Sequence, residues 1–149
     1  MKHRLLVLSL LSATVLAQPV FAQQPAAQNA TLDAAAKEPG AVLTSTGLVF
    51  RSLKDGTGAK PGAADVVKVH YRGTFPDGKE FDSSYGRGTP IEFPLNRVIP
   101  CWTEGVQRMA VGSKAKLTCP SRIAYGERGA GGVIPPNATL VFEVELLGV

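Results

Sequence analysis

Two histidines, two cysteines and a scatter of carboxylates are what the 149-residue chain offers for covalent or metal chemistry. It contains no Gly-x-Ser-x-Gly, so nothing supports the nucleophile elbow of an α/β-hydrolase. It has no His-Glu-x-x-His pair for zinc. A four-ligand zinc site would consume both histidines and both cysteines, and their spacing does not suggest one. Gly129-Ala130-Gly131-Gly132 has the glycine density of a phosphate loop but lacks the Gly-Lys-Ser/Thr ending and a following helix. What remains is a set of rings and one acid: Tyr71, Phe81, Asp82, Phe93, Trp102, Tyr125 and Phe142. The plain reading is that the rings are core, and that Asp82, just before Ser83-Ser84, is a turn acid accepting backbone N–H groups.

Positioning these side chains requires strands. Leu48 to Leu53 reads as one, closed by Asp55-Gly56-Thr57-Gly58. Val66 to Phe75 reads as a longer one, with Val67, Val69 and Tyr71 on one face and Lys68, His70 and Arg72 on the other. That alternation turns His70, the one candidate base, away from the Tyr71 face. Pro76-Asp77-Gly78 is a turn, Lys79-Glu80-Phe81 resumes the sheet, and Ile91 to Leu95 is a further short strand. Between Pro100 and Met109 the period changes: Trp102, Val106 and Met109 fall at i, i+4 and i+7, one helical face, and Pro100 suits a first turn where its missing N–H is not needed. Lys114 to Cys119 is a strand, and Pro120 to Asn137 is a Gly- and Pro-rich loop. Thr139 to Leu147 alternates with Leu140, Phe142, Val144 and Leu146 facing in. The sum is an antiparallel sheet with one short helix against its apolar face, an α+β arrangement.

The N-terminus reads as a targeting segment. Lys2, His3 and Arg4 precede an apolar run from Leu5 to Leu16, and Val20-Phe21-Ala22 supplies small residues one and three before a cut, the order of a secretory signal. The run of about twelve residues is short of the roughly 20 that span a bilayer, and no cysteine near the cut invites a lipid anchor. We expect cleavage after Ala22, and no membrane span afterwards. Losing Lys2 and Arg4 takes the formal net charge from +4 to +2, so the basic balance does not point to nucleic acid. Residues 23–43 are rich in Gln, Ala and Pro and read as a flexible tether, with at most a transient helical turn at Ala34 to Lys37. Export implies an oxidising compartment, where Cys101 and Cys119 can form one disulfide; the alternative is two buried thiols acting as small apolar side chains. We expect the disulfide.

Several motifs in order are specific. Val69-His70-Tyr71-Arg72-Gly73 with Asp77-Gly78-Lys79-Glu80-Phe81-Asp82-Ser83-Ser84 resembles the FKBP family, the macrolide-binding peptidyl-prolyl isomerases. Val98-Ile99-Pro100-Cys101-Trp102-Thr103-Glu104-Gly105 is similar to that family's entry into its single helix, and Ala124-Tyr125-Gly126 and Val133 to Phe142 are similar to its long loop and last strand. The resemblance covers residues 44–149 and, with the export signal, is closest to the periplasmic bacterial members of the macrophage infectivity potentiator type, whose N-terminal helical dimerisation region we do not expect here. It implies a sheet wrapped around one short helix and an X-Pro cis–trans isomerase that uses neither cofactor nor metal. Its partners would be proline-containing unfolded or partly folded proteins, with macrolide inhibitors entering the same pocket; a proline-binding module or holdase chaperone with little turnover is the alternative. Tyr71, Phe81, Asp82, Ile99, Trp102, Tyr125 and Phe142 match the family's catalytic pocket, with Trp102 as floor, the Ile99 N–H binding a substrate carbonyl and the Tyr125 hydroxyl another. Arg87, Ile91, Phe93, Val98, Val133 and Ile134 match surrounding substrate-binding positions. Ile91 stands where many members carry Phe, and Cys101 where Gly is usual.

Overall fold

The structure, a computed structural model, describes residues 26–149. The expected signal and its cut after Ala22 lie outside the described residues. Two helices, α1 (Ala26–Ala36) and α2 (Pro100–Gln107), accompany seven strands: β1 (Ala41–Leu43), β2 (Val49–Lys54), β3 (Val66–Thr74), β4 (Glu80–Ser83), β5 (Ile91–Pro94), β6 (Lys114–Cys119) and β7 (Leu140–Gly148). All pairings are antiparallel, in the order β1-β2-β6-β7-β3-β4. β3 is long enough to hold two partners on one edge: β5 pairs with its start (Val66 to Val69) and β4 with its end (Arg72 to Thr74). This is the α+β arrangement that the alternation predicts.

Periodicity explains which face is covered. Val67, Val69 and Tyr71 of β3 and Leu140, Phe142, Val144 and Leu146 of β7 are all buried, while Lys68, Arg72, Glu143 and Glu145 face outward. α2 lays Cys101, Trp102, Gly105 and Val106 onto that apolar face, and Met109 follows just beyond its end. Gly105 permits the approach: a Cβ there would lie 2.8 Å from both terminal methyls of Leu117 on β6. Pro100 occupies the first turn of α2 as expected. A disulfide joins Cys101 in that turn to Cys119 at the end of β6, with the two Cα atoms 5.9 Å apart.

The stretch expected to be a tether is structured from residue 26 on. α1 buries Ala35, and β1 pairs with β2 through Ala41–Arg51, Val42–Phe50 and Leu43–Val49. Between them Glu38 bridges two cations of the sheet's outer face, Arg51 Nη1 at 2.6 Å and Lys116 Nζ at 2.7 Å, and Arg51 Nε also donates to the Pro39 carbonyl. An Ala-rich segment is a good helix former with little to bury, so its signal was not periodicity but two ion pairs to residues far along the chain. The hydrogen bond from Lys116, joined by Arg51, holds the Glu38 carboxyl below the usual glutamate range despite partial burial. A carboxyl lowered in the folded state stabilises above its unfolded value and loses that contribution as pH falls through its folded one. Glu38→Gln should therefore cost about 1 kcal/mol of stability at pH 7, and urea titrations of the two proteins should converge as the pH is lowered below 4.5. A gap that persists unchanged at pH 3 would assign the effect to packing instead.

Candidate active site

The sheet's covered face opens between β3, β4, β5, α2 and β7 into a cavity of about 400 Å³ lined by Tyr71, Phe81, Asp82, Phe93, Arg97, Val98, Ile99, Trp102, Tyr125 and Phe142. Trp102, on the first turn of α2, is its hub. Its ring meets Tyr71 at 5.2 Å, Phe142 at 5.5 Å and Phe93 at 5.6 Å between centroids, each within a few degrees of perpendicular. Such edge-to-face contacts fix ring orientations beyond what area burial does, at about 0.5–1.5 kcal/mol each. The wall therefore stays open as a preformed slot. The Trp102 indole N–H is buried with no hydrogen-bond partner among the described residues.

How Phe81 and Asp82 both reach the cavity depends on a defect in the sheet. Adjacent strand residues point to opposite faces. The β3–β4 register, however, pairs Gly73 with Asp82 and Thr74 with Glu80, leaving Phe81 as an extra residue at a bulge. The bulge turns Phe81 inward beside Asp82. Gly73 makes room for it: a Cβ at 73 would stand 2.5 Å from Phe81 Cζ and 3.0 Å from Phe142 Cε1. Phe81 and Phe142 can then pack edge to face at 5.7 Å over the glycine.

Asp82 lies in β4 rather than in a turn. Its Oδ2 accepts the Tyr71 hydroxyl, and its Oδ1 accepts Arg87 Nη1 at 2.9 Å and the Ser83 N–H at 2.9 Å. Arg87 Nη2 donates to the Tyr71 oxygen at 3.1 Å, closing a three-residue ring of hydrogen bonds. Burial pushes the Asp82 carboxyl up, but the hydrogen bonds from Tyr71 and Arg87 outweigh it and hold the group below the usual aspartate range. Burial and the neighbouring Asp82 raise the Tyr71 hydroxyl, and burial with the Asp82 charge raises Tyr125. Near neutrality the site thus holds a carboxylate and two protonated phenols. Besides the Trp102 indole, the Ile99 N–H, at the residue capping α2, and the Tyr125 hydroxyl on the loop are donors left without a partner among the described residues. His70 stands on the opposite face of β3, stacked on Tyr85 with its Nδ1 2.9 Å from Ser84 Oγ.

The family profile of FKBP-type peptidyl-prolyl cis-trans isomerases matches residues 57–147. This chain belongs to that family. Its FKBP domain is similar to the FKBP-type peptidyl-prolyl cis-trans isomerase FkpA of Aeromonas hydrophila, 61% identical over 118 residues that cover 79% of this chain and 44% of that protein. It is 55% identical over 118 residues to the FKBP-type 22 kDa peptidyl-prolyl cis-trans isomerase of Escherichia coli (strain K12), covering 79% and 57% of the two chains. The crystal structure of FkpA from Escherichia coli superposes with a TM-score of 0.78 at 49% identity, over 80% of this chain and 56% of that one. The chain spans about half the length of the curated relatives it matches.

Within the FKBP domain, the seven residues expected to be catalytic all line the cavity, as do Phe93 and Val98. The other four expected substrate-binding residues do not. Arg87 lies outside the lining and is hydrogen-bonded to Asp82 and Tyr71. Ile91 packs against the core from β5. Reciprocal hydrogen bonds between Ala130 and Ile134 close a small loop that drives Ile134 into the core and leaves Val133 on the outside, 56% exposed. Two residues of the site were missed. Gly73 signals itself in the sequence as a glycine interrupting a strong strand, which marks a close approach. Arg97 carries no sequence signal: it follows from the 3-10 turn Leu95–Arg97, pinned by buried Leu95 and by Thr103 Oγ1 donating to the Leu95 carbonyl at 2.6 Å.

Proposed function

We propose that this FKBP domain is a peptidyl-prolyl cis-trans isomerase acting on proline-containing unfolded or partly folded proteins in the periplasm. The single observation that carries the reading is the apolar slot floored by Trp102, with free donors at Ile99 and Tyr125 on its rim. Rotation about an X-Pro bond is slow because amide resonance must be lost, a barrier of about 18–20 kcal/mol. The twisted amide has less charge separation than the planar one, so a dry aromatic slot favours it over the ground state. The proline ring packs on Trp102 between Tyr71, Phe81 and Phe142. The Ile99 N–H and Tyr125 hydroxyl take flanking carbonyls and hold the peptide in a turn. Asp82, with Arg87, keeps the Tyr71 ring in place. Macrolide inhibitors of the family would compete for the same slot. The export signal read at residues 1–22 supports the periplasmic location.

A refolding protein limited by a proline step provides the test. Substoichiometric amounts should speed the slow phase; a holdase would slow it or only protect yield, and that outcome would overturn the reading. Because no step moves a proton, and because Asp82 is ionised and both phenols protonated across the neutral range, kcat/KM on a neutral X-Pro peptide should be flat between about pH 6 and 8. His70→Ala should keep the rate within about threefold, since its ring lies behind β3. A bell-shaped profile abolished by that substitution would make the histidine a catalytic base.

A further inference from the structure

The charges around the slot do not cancel. Among the described residues Asp82 is the only acid lining it, and its oxygens are taken by Tyr71, Arg87 and the Ser83 N–H. Arg87 spends its guanidinium on that pair. Across the slot Arg97 is exposed, lines the cavity, and has no hydrogen bond or ion pair among the described residues. Glu127 and Arg128, which follow Tyr125 closely in sequence, do not line the cavity. With Asp82 paired to Arg87, Arg97 is the uncompensated charge of the cavity lining among the described residues. It is anchored at its backbone by buried Leu95 and lies two residues before the free Ile99 N–H.

We propose that Arg97 is a specificity-determining residue, which selects X-Pro segments carrying an acidic side chain beside the proline. The inference rests on the isomerase reading of the same slot. A peptide whose carbonyl meets the Ile99 N–H runs past Arg97, and a Glu or Asp next to its proline comes within reach of the guanidinium. A Lys there meets the same charge as repulsion. Because the pair forms at a wet mouth, its effect is modest, roughly threefold to fivefold between Glu and Gln. It forms equally with the planar and the twisted amide, so it acts on KM rather than kcat. It also weakens with salt, because the Debye length shortens from about 30 Å at 0.01 M to about 3 Å at 1 M.

The test uses neutral-capped peptides with Glu, Gln or Lys at the position before proline, and a second series with the same residues after it. Binding is read from the chain's one tryptophan, which floors the slot, and turnover from the same peptides. The expected result is Glu over Gln over Lys in binding and in KM for one of the two series, with kcat level. Raising salt should collapse the order, Arg97→Gln should bring the Glu-to-Gln ratio to about one, and Arg97→Glu should reverse it in favour of Lys. Equal binding of the Glu, Gln and Lys peptides in both series at low salt, or a Glu preference that survives Arg97→Glu, would overturn the proposal. Failure of the isomerase reading looks different: the Gln peptides would bind but not turn over, while the charge order in binding would still decide the role of Arg97.

Discussion

Replacing Trp102 with leucine is expected to lower kcat/KM on a proline peptide tenfold or more, equivalent to about 1.4 kcal/mol of lost transition-state stabilisation. Leucine keeps an apolar floor but removes the flat surface on which a proline ring stacks. It also removes the ring against which Tyr71, Phe93 and Phe142 are braced. The loss should fall on kcat as well as KM, because loosened walls readmit water to the amide. Trp102 is 4% exposed, and truncating it to alanine would cost about 3–5 kcal/mol of stability, so the leucine variant is the informative one. Its fold is checked by circular dichroism and a urea transition. A folded Trp102→Leu protein within twofold of the parent rate would show that the slot's floor takes no part in the rotation. Phe142→Ala, assayed with the same folding control, should fall into the same tenfold class.

The second large effect is on stability. Cys101 and Cys119 are both fully buried and separated by 18 positions, so their bond restricts a loop of the unfolded chain. In the chain-entropy description, closing a loop of that size contributes about 3 kcal/mol. The double replacement Cys101→Ala/Cys119→Ala should lower the urea-unfolding free energy by that amount and the thermal midpoint by roughly 10 °C. Residual activity at 25 °C should persist, since no sulfur atom lines the slot. Mass measurement of the unreduced, alkylated protein checks the bond directly, and a double variant as stable as the parent would mean the bond does not constrain the unfolded chain. Because Cys101 immediately precedes Trp102, the bond also ties the first turn of α2 to β6. The variant should therefore show raised backbone exchange at the slot's floor before it unfolds globally.

Much of this architecture was legible in the residues. Strict alternation in Val67-Val69-Tyr71 and Leu140-Phe142-Val144-Leu146 names both the strands and their inner face, and the Trp102, Val106 and Met109 spacing names the helix and its buried side. What alternation could not supply was any feature that departs from it. Phe81 and Asp82 are adjacent, and a regular strand would send them to opposite faces; only the bulge opposite Gly73 and Thr74 brings both inward. Val133 and Ile134 were expected at the slot, but the Ala130–Ile134 loop closure settles their directions by hydrogen bonds that no pattern of residue types encodes. The helix at Ala26–Ala36 is held by Glu38 reaching Arg51 and Lys116. Partners thirteen and seventy-eight positions away leave no local trace.

The position of β7 bears on how such a chain comes into being. β7 is near the C-terminal end of the chain yet sits between β6 and β3 at the middle of the sheet, paired along its length with both. Until Leu140 to Gly148 have been synthesised, the two halves of the sheet have no shared strand, the slot lacks Phe142, and the apolar faces of β3 and β6 are bare. Assembly vectorially from the N-terminus is therefore closed to this domain. It folds after its final strand arrives, through contacts of long sequence separation that are slow to close. The intermediate that waits for that strand exposes unpaired edges, the kind of species prone to aggregate. The domain's own folding is thus late and all at once.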